Sequence, residues 1–131
     1  MKRNQGFTLV EILIVVIILG ILAAIVIPQF TEASDDARTS ALSSDLQTIR
    51  SQLELYKMQH AGTYPADLVT ALTTSDGTYG PYLQKFPSNP FVTGAASSSV
   101  DTTTLGGSTA GWFYDRTTGS VKPDDDAHSS L

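Results

Sequence analysis

No cysteine occurs anywhere in the chain. That excludes a disulfide framework, a thiolate nucleophile and the cysteine-rich zinc sites of small domains. Histidine is nearly as scarce. A Ser–His–Asp triad would have to recruit His60 or His128, and no nucleophile-elbow motif accompanies either. Neither a phosphate-binding loop nor a dinucleotide fingerprint is present. Basic residues are outnumbered, 8 Lys and Arg against 13 Asp and Glu, for a formal net charge of −5. Such a balance argues against a surface that grips nucleic-acid phosphates. With no catalytic constellation left, the chain reads as a non-enzyme.

Charge is also missing from one long stretch, with a single exception. From Phe7 to Ile27 every residue is apolar or small except Thr8 and Glu11. Those roughly 21 residues would span about 31 Å as helix, matching a hydrocarbon core of about 30 Å. Lys2 and Arg3 precede the run and no basic cluster follows it. This predicts a cytoplasmic N-terminus with the remainder of the chain outside. An acid at the middle of a membrane helix costs about 2.5–3.5 kcal/mol, and such residues are functional by default. A cut between Gly6 and Phe7 would place a positive amine one turn from Glu11, on the same chain or on a neighbouring copy. Two plainer readings stand beside this one. The segment could be a secretory signal peptide cut near Leu22-Ala23-Ala24, or an uncleaved anchor. Against the signal peptide, the apolar run continues to Ile27 and carries an acid at its start.

Helical character continues past Ile27. Leu42, Leu46, Ile49, Leu53 and Tyr56 recur at alternating steps of four and three, the stripe of an amphipathic helix. Ala33, Ala37 and Ala41 extend a small-residue face toward the membrane end. One helix from about Thr8 to Gln59 is the economical expectation, half in lipid and half packed on a head domain. His60-Ala61-Gly62, with Pro65 beyond, marks its stop. Pro28 predicts a kink, and Gly20 weakens the helix by roughly 0.5–1 kcal/mol relative to Ala.

Beyond Gly62 the reading is a short helix within Pro65–Leu72, a turn at Asp76-Gly77, and an extended proline-braced loop with Tyr82 and Phe91 as core plugs. Thr93 to Gly111 is Gly, Ala, Ser and Thr apart from Val100, Asp101 and Leu105, which predicts a mobile surface loop. Gly111 to Asp115 and Ser120 to Lys122 then read as a hairpin, with Trp112 as a core plug. Asp124-Asp125-Asp126 is the one cluster with metal chemistry. It reads either as a solvated acidic tail or as a calcium site at Asp124 and Asp126, since calcium takes six to eight oxygen ligands.

Gly6-Phe7-Thr8-Leu9-Val10-Glu11, behind a short basic leader, resembles the type IV prepilin processing signal shared by pilins and the pseudopilins of type II secretion. The resemblance runs along the helix to about Tyr56. Gly80-Pro81-Tyr82-Leu83, the following Pro-x-x-Pro-aromatic segment and the Trp-x-Tyr hairpin also resemble major pseudopilins, although Asn89-Pro90-Phe91 stands where that family more often has Asp-Pro-Trp. The resemblance implies cleavage after Gly6 by a prepilin peptidase, methylation of the Phe7 amine, a role for Glu11 in assembly, and bending of the helix at Gly20 and Pro28. It implies an α+β pilin-like fold, a long N-terminal helix packed on a small C-terminal antiparallel sheet with long loops. The expected division is a leader at 1–6, a transmembrane and filament-core helix at 7–27, the amphipathic half of the helix at 28–60, and a head at 61–131.

The implied function is that of a structural subunit, stored in membrane lipid, which polymerises into a helical homo-oligomeric filament. In a type II secretion pseudopilus, that filament helps to move folded proteins across the outer membrane. The implied partners are minor pseudopilins and an inner-membrane assembly platform with its ATPase, without nucleic acid. The implied location is the inner membrane, crossed once, with a periplasmic head. Many adhesive pilins carry a C-terminal disulfide loop, so the missing cysteines tilt the reading toward secretion. A type IV pilin for adhesion, motility or DNA uptake is one alternative, and a monomeric membrane-tethered binding protein another. Major pseudopilins typically bind calcium near the C-terminus, but this chain lacks the longer Gly- and Asp-rich loop that wraps the ion.

Overall fold

The computed structural model describes residues 6–131, so Lys2 and Arg3 of the basic leader lie outside the described residues. The longest element is α1, Leu9–Gln59, 51 residues of continuous helix that include both Gly20 and Pro28. Pro28 has no N–H to offer the carbonyl of Ala24. In the next turn the Thr31 hydroxyl donates to the Ile27 carbonyl at 3.2 Å. The helix stops where the sequence predicts, and its closing hydrogen bond is specific. Gly62 N–H donates to the Lys57 carbonyl at 2.8 Å, with Ala61 and Gly62 both left-handed at φ 55° and 81°. That is a Schellman closure with alanine at the position glycine usually takes.

Two compact units divide the chain, one ending at Ala37 and the other running from Arg38 to Leu131. In the first unit the large apolar side chains from Leu9 to Phe30 are exposed. Apolar area in water is unfavourable by about 25 cal/mol per Å², so a continuous surface of this kind calls for lipid or protein around it. Among the described residues, α1 is the one helix long and apolar enough to cross a membrane.

The second unit has a single apolar core. Leu42, Leu46, Ile49 and Leu53 are buried along α1, and Tyr56 is partly buried beside them. Leu68 and Leu72 of α2 (Leu68–Thr73), Phe86, Trp112, Tyr114 and Val121 complete the cluster. Each fully buried Leu, Ile or Val contributes about 1.5–3 kcal/mol. Tyr82 and Phe91 pack on its margin, half-buried. Asp67 caps α2, its carboxylate accepting from the Thr70 N–H at 3.1 Å and the Thr70 hydroxyl at 2.8 Å. Those two bonds, the hydroxyl's first, hold the Asp67 carboxyl below its usual range.

The sheet has three strands in the order β1 (Val100–Asp101), β2 (Trp112–Asp115) and β3 (Ser120–Pro123). β2 and β3 form the expected antiparallel hairpin, with Tyr114 opposite Val121 and Trp112 opposite Pro123. Trp112 and Tyr114 point inward, and their polar atoms are satisfied there. The indole N–H donates to the Pro87 carbonyl at 3.0 Å, and the Tyr114 hydroxyl to the Pro65 carbonyl at 3.0 Å. Arg50 ties α1 to the hairpin edge, donating from Nε and Nη2 to the Val121 carbonyl at 3.1 and 2.7 Å.

The architecture is the α+β arrangement of the pilin-like fold, with two differences of detail. First, the sheet is mixed, because β1 runs parallel to β2. Second, Thr93 to Gly111 is not a featureless loop. It holds a 3-10 helix, Gly94–Ser98, as well as β1. Its order comes from backbone pairing, which a count of apolar side chains misses. Ser97 carbonyl accepts from Asn89 N–H at 2.8 Å, and Ser99 carbonyl accepts from Gly111 and Trp112 N–H at 3.2 and 3.1 Å. Gly111 is packed so closely that a Cβ there would overlap the Ser97 carbonyl.

Candidate functional site

Two places carry the polar residues singled out by the sequence: the start of α1 and the acidic segment after β3. At the helix start, Glu11 is not a stray charge. Its Oε2 accepts from the Thr8 N–H at 3.2 Å and from the Thr8 hydroxyl at 3.3 Å. In return, the Thr8 hydroxyl oxygen accepts from the Glu11 N–H at 3.2 Å. This is a reciprocal capping box, with Thr8 at the N-cap and Glu11 three residues on. The carboxylate also lies at the positive end of the helix dipole. Both side-chain bonds fall on Oε2, and a carboxylate has capacity for further donors on its second oxygen. The Thr8-x-x-Glu11 spacing is the sequence signature of this pairing, masked by the apolar run around it.

Phe7, immediately before the cap, is 82% exposed. Gly6 and Gly20 have open space where a Cβ would sit. Packing within this chain therefore does not require glycine at either position.

The acidic segment is not a solvated tail. Asp124 is fully buried and Asp125 nearly so, while Asp126 is exposed. Asp124 Oδ1 accepts from Gly106 N–H at 2.9 Å and Oδ2 from Ala110 N–H at 3.2 Å. Asp125 Oδ1 accepts from the Asn89 side-chain amide at 2.8 Å, and its Oδ2 pairs with His128 Nδ1. The His128 ring in turn stacks on Phe91, centroids 4.1 Å apart. Both Asp124 oxygens thus serve as backbone acceptors. Among the described residues no group of three or more His, Asp or Glu side chains is placed to hold a metal. This donor set does not suit a calcium ion carried by side chains.

Comparison with known proteins bears on the helix start. Residues 1–27 match the family model described as the prokaryotic N-terminal methylation motif. The type II secretion system core protein G of Pseudomonas aeruginosa is 37% identical over 100 residues, 69% of this chain and 70% of that protein. That of Klebsiella pneumoniae is 32% identical over 101 residues, 70% of this chain and 71% of that protein. The chain belongs to the type IV prepilin-like family, with the major pseudopilins of type II secretion. A type IV narrow pilus major component of Thermus thermophilus is 32% identical over 107 residues, 82% of this chain and 92% of that protein. No solved structure matches. The matched motif takes in Gly6, Phe7, Thr8, Glu11 and Gly20 and ends one residue before Pro28. The acidic segment at 124–126 lies outside it.

Proposed function

We propose that the chain is the major structural subunit of a type II secretion pseudopilus, cut after Gly6, methylated on the Phe7 amine and polymerised through its first unit into a helical filament. The observation that carries this reading is the exposed apolar surface of α1 from Leu9 to Phe30, headed by the Thr8–Glu11 cap. Membrane lipid covers that surface in the stored subunit, and like helices cover it in the filament. Lys2 and Arg3 favour a cytoplasmic N-terminus, which puts the subunit across the inner membrane once with the head in the periplasm. The second carboxylate oxygen of Glu11 then meets the Phe7 amine of a neighbouring copy. In a low-dielectric core such a pair is favourable only when both charges are present, so it penalises a subunit out of register. Gly20 and Pro28 give the helix places to bend during packing. Prepilin peptidase, minor pseudopilins and an assembly platform with its ATPase are the partners this function needs, and its own role is structural rather than catalytic.

A type IV pilin is the second reading, supported by the Thermus thermophilus narrow pilus component, of which this chain covers 92%. Deletion of the gene separates the two. Loss of exported protein from the culture medium with an unchanged cell surface supports the pseudopilus. Loss of surface fibres in electron micrographs, with export intact, supports the pilus.

A further inference from the structure

The residue just past the end of α1 does more than close the helix. The His60 ring lies flat on Tyr56, with centroids 3.8 Å apart and planes 7° from parallel, and Tyr79 meets it edge-on at 5.5 Å. Its Nδ1 is 2.8 Å from the Tyr56 carbonyl oxygen, and its Nε2 is 2.9 Å from Asp76 Oδ2. A carbonyl oxygen can only accept a hydrogen bond, and so can an ionised carboxylate. A neutral imidazole has one N–H and can satisfy only one of the two. Both contacts are hydrogen bonds only when the ring is an imidazolium. The surroundings suit that charge, since the carbonyl end of a helix is the negative end of its dipole.

Asp76 is held just as firmly. Its Oδ1 accepts from the Thr78 and Tyr79 N–H groups at 2.8 and 2.6 Å. The carboxylate therefore organises the turn at 76–79 with one oxygen and reaches His60 with the other. Tyr79 and Asp76 from this turn, Tyr56 from α1, His60 just past its end, and Tyr82 from the segment beyond wall a cavity of about 310 Å³.

We propose that His60 and Asp76 form a proton-operated latch, which ties the turn at 76–79 to the end of α1 and keeps one wall of this tyrosine-lined cavity in place. Titratable groups face His60 from each side. From α1 and the segment after the turn come Tyr56 and Tyr82, and from the turn come Asp76 and Tyr79. α2 adds only Thr70 and Ala71 to the cavity wall, both uncharged. Lys57, a nearby cation on α1, is engaged with the Tyr64 hydroxyl at 2.8 Å. Burial pushes the Tyr82 phenol up, away from neutral pH. Tyr82 also supports the wall independently of the latch, donating to Gln59 Oε1 at 2.6 Å.

The direction of the switch follows from the same contacts. The Tyr56 carbonyl first, and then Asp76, hold His60 above its ordinary value of 6.5. The latch is therefore fully engaged below pH 6.5 and is released as pH rises through the raised value. Asp76 is drawn down from 3.8 to about 2, chiefly by the Tyr79 and Thr78 N–H groups. On the acid side, the latch is lost only as pH falls from 3.8 through about 2.

The test is nitrogen-15 NMR of the histidine rings and backbone amides of the full chain in detergent micelles, titrated from roughly pH 5 to 9. His60 is expected to keep both ring nitrogens protonated up to a midpoint above 6.5, with the Thr78 and Tyr79 amide signals shifting at the same midpoint. Asp76→Asn should lower that midpoint and uncouple the two amides from it. The wild-type titration is decisive even where the variant fails to fold. A His60 ring that is already neutral at pH 6.5, or Thr78 and Tyr79 amides that ignore its titration, would overturn the latch.

Discussion

Glu11 and Thr8 close on each other at the first turn of α1, each side chain accepting the other's backbone N–H at 3.2 Å. The capping function of Glu11 can therefore be separated from its charge. Glutamine can also fill the acceptor position of a capping box, losing only the smaller helix-dipole contribution. Glu11→Gln should keep the helix start and normal membrane residence while removing the negative charge. Filament yield at equal subunit level should fall at least ~10-fold, the effect of ~1.4 kcal/mol per contact. Thr8→Ala should do the reverse, costing about 1 kcal/mol of local helix stability while leaving the charge in place. Quantifying sheared filaments from both variants checks this, and a wild-type yield from Glu11→Gln would sink the charge-pair assignment.

Ala61 occupies a left-handed position, φ 55°, that costs a non-glycine residue about 1–2 kcal/mol. Ala61→Gly should relieve that strain and lose part of the gain to chain entropy. A net stabilisation of about 1 kcal/mol is expected. The emission of Trp112, the one tryptophan and a fully buried one, reports unfolding of the head in the full chain.

Gly111→Ala should act in the opposite sense and more strongly. The new methyl would overlap the Ser97 carbonyl, a backbone atom whose position is set by the Asn89 N–H. A loss of about 2–3 kcal/mol is expected, at the upper end for overpacking. The same Trp112 unfolding curve measures it. Stability unchanged from wild type would show that the 3-10 helix at Gly94–Ser98 moves freely.

Much of this is legible in the sequence. The Leu42, Leu46, Ile49, Leu53 stripe, the helix stop near Gly62 and the Trp112–Val121 hairpin follow from periodicity and turn chemistry, and all three are present. Less legible were features built from polar groups meeting across long separations. Asp124 reaches back to Gly106 and Ala110, Asn89 reaches forward to Asp125, and His60 finds Asp76. No local pattern encodes these pairings, so a run of aspartates reads as a solvated tail or a calcium site, and a run of small residues reads as a mobile loop. The Thr8–Glu11 box was encoded locally. The apolar run around it makes Glu11 read first as a charge in lipid.

Tyr114 offers a test by pH. Its hydroxyl is buried and donates to the Pro65 carbonyl, and burial pushes the phenol up to about 12 from 10.0. The folded state thus favours the neutral phenol. This contribution is fully present below pH 10.0 and is lost as pH rises through about 12. Tyr114→Phe should cost about 1–2 kcal/mol near neutrality, because the Pro65 carbonyl loses its donor. The variant should also lose stability less steeply than wild type in that alkaline window, since phenylalanine cannot ionise. Parallel unfolding curves at about pH 8 and about pH 11 compare the two slopes.

Asp124 and Asp126 should behave as unlike residues despite their spacing. Asp124 is fully buried and holds the Gly106 and Ala110 N–H groups, so Asp124→Ala strands two backbone donors, and a loss of about 2–3 kcal/mol is expected. Asp126 is exposed, and Asp126→Ala should change stability by no more than about 0.5 kcal/mol. A calcium site at the same pair predicts another pattern. Both substitutions would then matter, and stability would grow with free calcium by mass action. With each Asp124 oxygen already accepting a backbone N–H, unfolding midpoints in calcium and in chelator should coincide. A calcium-dependent rise that disappears in the Asp124→Ala/Asp126→Ala double variant would instead establish the ion, and would require Asp124 to exchange its backbone bonds for metal coordination.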